Sequence, residues 1–192
     1  MPTVRPPGLL AVDVGNSSVR CGVFRAADSA ESLPLPYATF SVDADRAPDA
    51  ALGEWIRAHA ADVATCCLAS VNARVSRRIA TWLGQQHRAW RMEQLVHTDL
   101  PLEIDVEYPD RVGIDRLLAA VAVNQIRNPA RPAIIVDAGT AITVDCVSAA
   151  GVFLGGAILP GMRLWARSLD QYTEKLPLVE TTSLHRPSVV GR

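Results

Sequence analysis

The sequence predicts an α/β protein built from two related lobes around mixed sheets, with the second lobe truncated at its C-terminus. Three observations lead there. An apolar run ends on an aspartate and a small-residue turn in "LLAVDVGNSS", residues 9–18, and a near copy, "AIIVDAGTAIT", occupies residues 133–143. Apolar strands alternate with amphipathic helical stretches, and the order strand, strand, strand, helix, strand, helix is partly repeated from residue 133. Between the copies "NPARP", residues 128–132, breaks the chain, which sets a division into 1–128 and 129–192.

The elements follow in chain order. "GLLAVDVG" reads as a buried strand. "SVRCGVFRA" is its hairpin partner, with Val19, Cys21 and Val23 on one face by period-two alternation. "YATFSV" is a third strand. Pro48 and Asp49 open a helix in which Leu52, Trp55, Ile56 and His59 recur at helical spacing. "DVATCCLASV" is another buried strand. "SRRIATWLGQQ" is a helix with Ile79, Trp82 and Leu83 inward and its arginines outward. Residues 87–110 show no clear period. A helix then starts near Gly113, its apolar face carrying Leu117, Leu118, Val121 and Ile126. After the break come three strands, "AIIVDAG", "TAITVDCVS" and "GVFLGGAIL", and a helix from "PGMRLWARSLDQYT" with Pro160 near its first turn. The chain reads as loop from "EKLP" onward.

Composition bounds the function. The chain has 192 residues, 49% apolar, and a net charge of -1, so no global field favours nucleic acid or a membrane surface. The most apolar stretch, 133–160, carries Asp137, Asp145 and several glycines, which argues against a membrane span. Cys21, Cys66, Cys67 and Cys146 form no CxxC pair and read as reduced, buried small hydrophobes of a cytoplasmic protein. His59, His87, His97 and His185 lack metal-ligand spacing, the four tryptophans fall mainly on helix faces, and "RVSRR" at 74–78 reads as a solvated helix face.

The repeated turn has a chemical logic. Glycine lets backbone approach a ligand closely, and successive N–H groups in such a turn bind phosphate oxygens. Hydroxyls of Ser17, Ser18 or Thr140 add donors. The aspartate cannot hold a phosphate directly, so it must work through a cation or a water, which suggests Mg²⁺ or a monovalent ion between carboxylate and phosphate. One such turn is equally what a hairpin needs to satisfy its own backbone. Two copies, each after an apolar strand and each opening a lobe, favour a ligand. No GxxxxGK[ST] or GxGxxG occurs. In "VGIDRLLAA", residues 112–120, Asp115 and Arg116 lie in the first turn of a helix. Asp115 can serve as general base toward a hydroxyl, and Arg116 can clamp a carboxylate or phosphate. The same pair also suits a helix start that merely balances its dipole.

Together these stretches resemble the bacterial type III pantothenate kinases, of the acetate and sugar kinase, actin and heat-shock chaperone superfamily with duplicated ribonuclease-H-like lobes. "DVGNSSVRCGVF" is similar to the family's first phosphate motif and "LASVN" to its Ser-Val strand end. "PDRVGIDRLLAA" is similar to its Pro-x-x-Val-Gly-x-Asp-Arg motif. "VDAGTAITVD" and "GVFLGGAILPGM" are similar to its second phosphate motif and the hairpin that follows. The resemblance implies ATP-dependent phosphorylation of the 4′-hydroxyl of pantothenate, the first step toward coenzyme A. It implies Asp115 as base and Gly113, Ile114, Asp115 and Arg116 as the pantothenate site. The first turn, Asp13, Val14, Gly15, Asn16, Ser17, Ser18, Val19 and Arg20, would hold ATP phosphates, with Mg²⁺ at Asp13. Asp137 would bind potassium or ammonium, Thr140 the nucleotide, and the protein would be a homodimer.

There are departures. Ser17 stands for the family's Thr and Arg20 for its Lys. Val106 stands where a pantothenate-contacting Tyr is common, and strand alternation would put Tyr108 on the same side, two residues nearer the motif. Family chains run some tens of residues past the position of Arg192, through a Thr-containing turn that binds pantothenate and long helices. The second lobe is therefore expected to leave apolar surface open. Two rival functions fit parts of the pattern. One is a non-catalytic, nucleotide-binding accessory factor linked to transcription. The other is a different kinase or ATPase of the superfamily, against which the Val-Gly-x-Asp-Arg segment argues.

Overall fold

The computed structural model describes residues 8–25, 33–87 and 89–179. The part beyond residue 179 of the loop predicted from "EKLP" onward, with His185, lies outside these residues, as do residues 1–7, 26–32 and 88.

Strands β1 (Gly8–Val14), β2 (Ser18–Phe24), β3 (Ala38–Asp43), β4 (Val63–Ser70) and β5 (Arg91–Gln94) form one mixed sheet in the order β3-β2-β1-β4-β5. The first three are antiparallel neighbours; β4 and β5 add in parallel. Helix α1 (Ala50–His59) starts at Asp49, whose carboxylate accepts the Leu52 amide at 2.9 Å. Helix α2 (Ala73–Gln86) starts three residues before its first predicted residue, because the Asn72 side chain caps it. Leu52, Ile56, Val75, Ile79 and Leu83 from these helices pack against Leu10, Val12, Val14, Val19, Cys21 and Val23. Burial pushes the Cys21 and Cys66 thiols up to about 12, as suits inert core residues. All four cysteines are free.

Helix α3 (Ile114–Ile126) separates this sheet from a second one. Strands β6 (Ala133–Ala138), β7 (Ala141–Val147) and β8 (Phe153–Pro160) are antiparallel throughout, in chain order, and helix α4 (Met162–Tyr172) follows. The second core joins Leu117 and Ala120 of α3 to Val147 and Phe153. Leu100, Leu102, Ile104, Val106 and Val112 pack against it, so residues before the break near 128 contribute to this cluster. The 87–110 stretch shows no period because it holds only the short β5, two single 3₁₀ turns and one β-bridge, Ile104 to Phe153.

Some expectations fail in detail. Ile126 is 64% exposed, since α3 has run past the second core by its last turn. Pro160 ends β8 instead of opening α4, whose N-cap is Gly161. Arg78 turns back to the Ala44 carbonyl at 2.5 Å, while Arg74 and Arg77 face solvent. Val106 and Tyr108 do not share a side. The chain bends between them, Val106 packs into the second core, and Tyr108 is exposed under the Arg111 guanidinium. The other face of the second sheet is open, with Ile134, Val136, Leu154 and Ile158 exposed beside Trp165 and Leu169 of α4.

Phe153 is fully buried, and its backbone is bonded on both sides to residues 103 and 105. Phe153→Ala is expected to cost about 3–5 kcal/mol, read as a lower urea midpoint.

Candidate functional site

The site is assembled where two strand ends and one helix start converge. Leu10, Val12 and Val14 face α1 and α2, so alternation turns Asp13 to the opposite face of the sheet. Asp13 pairs in register with Arg20 on β2. On β6, Ala133 and Ile135 pack toward the second core while Ile134 and Val136 are exposed. Asp137 shares the inward parity of Ala133 and Ile135. Asp115 stands in the first turn of α3 and accepts the Arg116 amide at 2.8 Å.

Asp115 and Asp137 both lie near enough to act on Asp13. Asp13 is held above the ordinary carboxylate range, first by burial; Arg20 pulls it down, and Asp115 and Asp137 push it up. Among the described residues, however, no three acidic, histidine or cysteine side chains sit close enough to enclose a metal ion. That donor set suits Mg²⁺, which takes one or two carboxylates and fills its shell with water and substrate phosphate.

The two turns touch. Ser17 Oγ and Thr140 Oγ1 are 2.7 Å apart. Each turn is closed by its glycine amide, Gly15 N to Ser18 O at 2.9 Å and Gly139 N to Ala141 O at 2.9 Å. Neither glycine has a positive φ; only Gly151 and Gly155 do among the described residues. Around the turns lies a cleft of about 790 Å³, lined by Asn16, Ser17, Ser18 and Arg20 from the first and Ala138, Gly139 and Thr140 from the second. Val14 and Val19, also in the sequence-derived set, have fully buried side chains and can offer the cleft only backbone. A smaller polar pocket of about 380 Å³ lies beside Gly113 and Ile114, bounded by Ser70, His97 and Arg111.

Several residues at the site escaped the sequence reading. Arg116 Nε donates to both carboxylate oxygens of Asp145 at 3.1 Å each, and Nη2 also bonds Oδ1. Asp145 is 1% exposed. The clamp expected of Arg116 is thus made with the protein's own carboxylate, across from the N-terminal turn of α3. An aspartate inside the apolar "TVDCV" was the available signal. Gly156 stands opposite Asp145 in register, and a Cβ there would strike both the Val144 carbonyl and the Asp145 side chain. Gly161 is needed for the same reason: a Cβ would strike the carbonyls of Gly139 and Thr140, so only glycine lets α4 begin against the second turn. Through that contact Arg163, Leu164 and Arg167 reach the cleft, joined by Asp43, Asp45 and Arg46.

Comparison with known proteins gives a consistent set. A model of the type III pantothenate kinase family matches residues 9–192. The chain is 51% identical over 96 residues to a type III pantothenate kinase of Rhodopirellula baltica, covering 50% of this chain and 34% of that one. It is 36% identical over 191 residues to one from Nitratidesulfovibrio vulgaris, covering 96% of this chain and 70% of that one. The chain thus spans one third to about two thirds of the length of these relatives. A solved structure assigned as a 2-dehydro-3-deoxygalactonokinase from Sinorhizobium meliloti aligns over 86% of this chain and 57% of its own, with a TM-score of 0.50 and 14% identity. It supports the fold alone.

Because Asp13 has a raised pKa, its charge opposes folding above that pKa and is neutral to folding below the unfolded value of 3.8. In metal-free buffer Asp13→Asn is therefore expected to raise the thermal midpoint at pH 7. The gain should shrink as the pH falls toward 4, where the wild-type carboxyl also takes up its proton.

Proposed function

The chain belongs to the type III pantothenate kinase family, and from that premise we propose that it transfers the γ-phosphoryl group of ATP to the 4′-hydroxyl of pantothenate. The observation that carries this reading is the convergence of Asp13, Asp115 and Asp137 beside a cleft shared by both turns. ATP lies in that cleft, its phosphates toward the Ser17–Thr140 contact. Pantothenate lies in the smaller pocket beside Gly113 and Ile114. The smaller pocket borders the start of α3 through Gly113 and Ile114, next to Asp115 in the chain.

Asp115 accepts the proton of the 4′-hydroxyl as its oxygen bonds to the γ-phosphorus and the bond to the bridging oxygen of ADP breaks. Arg20 and the hydroxyls of Ser17, Ser18 and Thr140 hold the phosphates in line. Mg²⁺, when bound near Asp13, neutralises charge developing on the phosphate oxygens. Asp137, exposed at the mouth of the second turn, is the carboxylate for a potassium or ammonium ion. Arg116 orients the helix start through Asp145, so its part in pantothenate binding is through placement of Gly113 to Asp115.

A homodimer and a cytoplasmic location complete the reading. The open apolar face of the second sheet and α4 offers surface for a second subunit. The free thiols suit a reducing compartment. No helix among the described residues is long and apolar enough to cross a membrane.

A coupled assay of ADP release tests the reading. Release should require pantothenate and rise with potassium, and Asp115→Asn should lower kcat by about 10²–10⁴-fold while ATP binding is kept. Release that ignores pantothenate, or an Asp115→Asn enzyme at full rate, contradicts it.

A further inference from the structure

The cleft carries more positive charge than its turns account for. Arg20, Arg46, Arg163 and Arg167 line it, against Asp43 and Asp45. Asp45 also faces Arg74, at 3.5 Å. Among the described residues none of the four lining arginines forms an ion pair. The sequence has a single lysine, Lys175, which does not line the cleft. Any lysine or arginine side chain that meets a chain of phosphates in this cleft is therefore a guanidinium.

Arg163 and Arg167 are the pair best built for it. They are four residues apart on α4, hence on one face, and both are exposed into the cleft. Like charges at this spacing repel, so the helix by itself gains nothing from them; an anion between them removes the repulsion. Their place is fixed, because Gly161 seats the start of α4 directly on the Gly139–Thr140 turn. A guanidinium presents a planar fork that matches two phosphate oxygens, which an ammonium does not.

We propose that Arg163 and Arg167 form a clamp for the polyphosphate chain of the nucleotide, a second cationic element of the cleft beside Arg20. The proposal rests on the reading of the cleft as a nucleotide site. It assigns α4 to nucleotide binding, alongside the motif residues on the two turns.

The test is titration calorimetry with ATP, inorganic tripolyphosphate and adenosine, each in magnesium buffer, on wild type, Arg163→Ala, Arg167→Ala and the double variant. These side chains are exposed, so the variants should keep the wild-type thermal midpoint, and each single variant guards against a double that does not fold. The expected result is that ATP and tripolyphosphate both weaken, by at least tenfold in the double variant, while adenosine is unaffected. ATP binding unchanged in the double variant overturns the clamp and leaves the kinase reading standing. Arginine-dependent binding of tripolyphosphate, with ATP no tighter, supports the clamp and removes the nucleotide. A wild type that binds neither anion overturns both.

Discussion

The buried pair between Arg116 and Asp145 is the contact on which the geometry of the site depends. It ties the first turn of α3 to the middle of β7, and α3 is the element lying between the two sheets. Leu117, one residue further, drives into the second core. With both anchors set, Asp115 has one place to stand, near Asp13 of the first sheet and Asp137 of the second. A buried ion pair adds little net stability over an apolar replacement, yet removing one partner costs about 3–5 kcal/mol. What the pair supplies is therefore orientation. The register partner of Asp145 is Gly156, because no side chain fits beside that carboxylate.

The second constraint is electrostatic. Burial makes the charge of Asp13 costly, and the nearby Asp115 and Asp137 add to that cost. Such a cost is common where a site is preorganised for a cation and an anion together. In the proposed reading the arginines around the cleft belong to the same balance: carboxylates near the strand ends draw the cation, and guanidinium groups at the cleft draw the phosphates. The hydroxyl contact between Ser17 and Thr140 brings the two turns together, so donors from the ends of both sheets stand side by side.

Much of the fold was legible in the sequence because the first lobe obeys simple periods. Leu10, Val12 and Val14 alternate, Leu52 and Ile56 recur at helical spacing, and Asp49 caps where expected. The motif positions at both turns and at Gly113–Arg116 were also visible, as short patterns with a chemical purpose. What was not legible depends on contacts distant in sequence. Residues 87–110 owe their shape to packing on the second core through Leu100, Leu102 and Ile104, not to a local period. Arg116 was read as a ligand clamp because its partner, Asp145, lies on another element. The need for glycine at 161 comes from the carbonyls of Gly139 and Thr140, which lie some twenty residues away in sequence. Arg163 and Arg167 carried no signal beyond their place in a helix, and only the fold sets them in the cleft wall.

The central claim is that the two Asp-Gly turns, far apart in sequence, act as one nucleotide site. Hydrogen–deuterium exchange followed by mass spectrometry, with and without ATP and magnesium, tests it most directly. The account predicts that nucleotide slows exchange in peptides spanning residues 14–18 and 138–141 together, at the same ATP concentration. Protection of one turn with the other unchanged would contradict it.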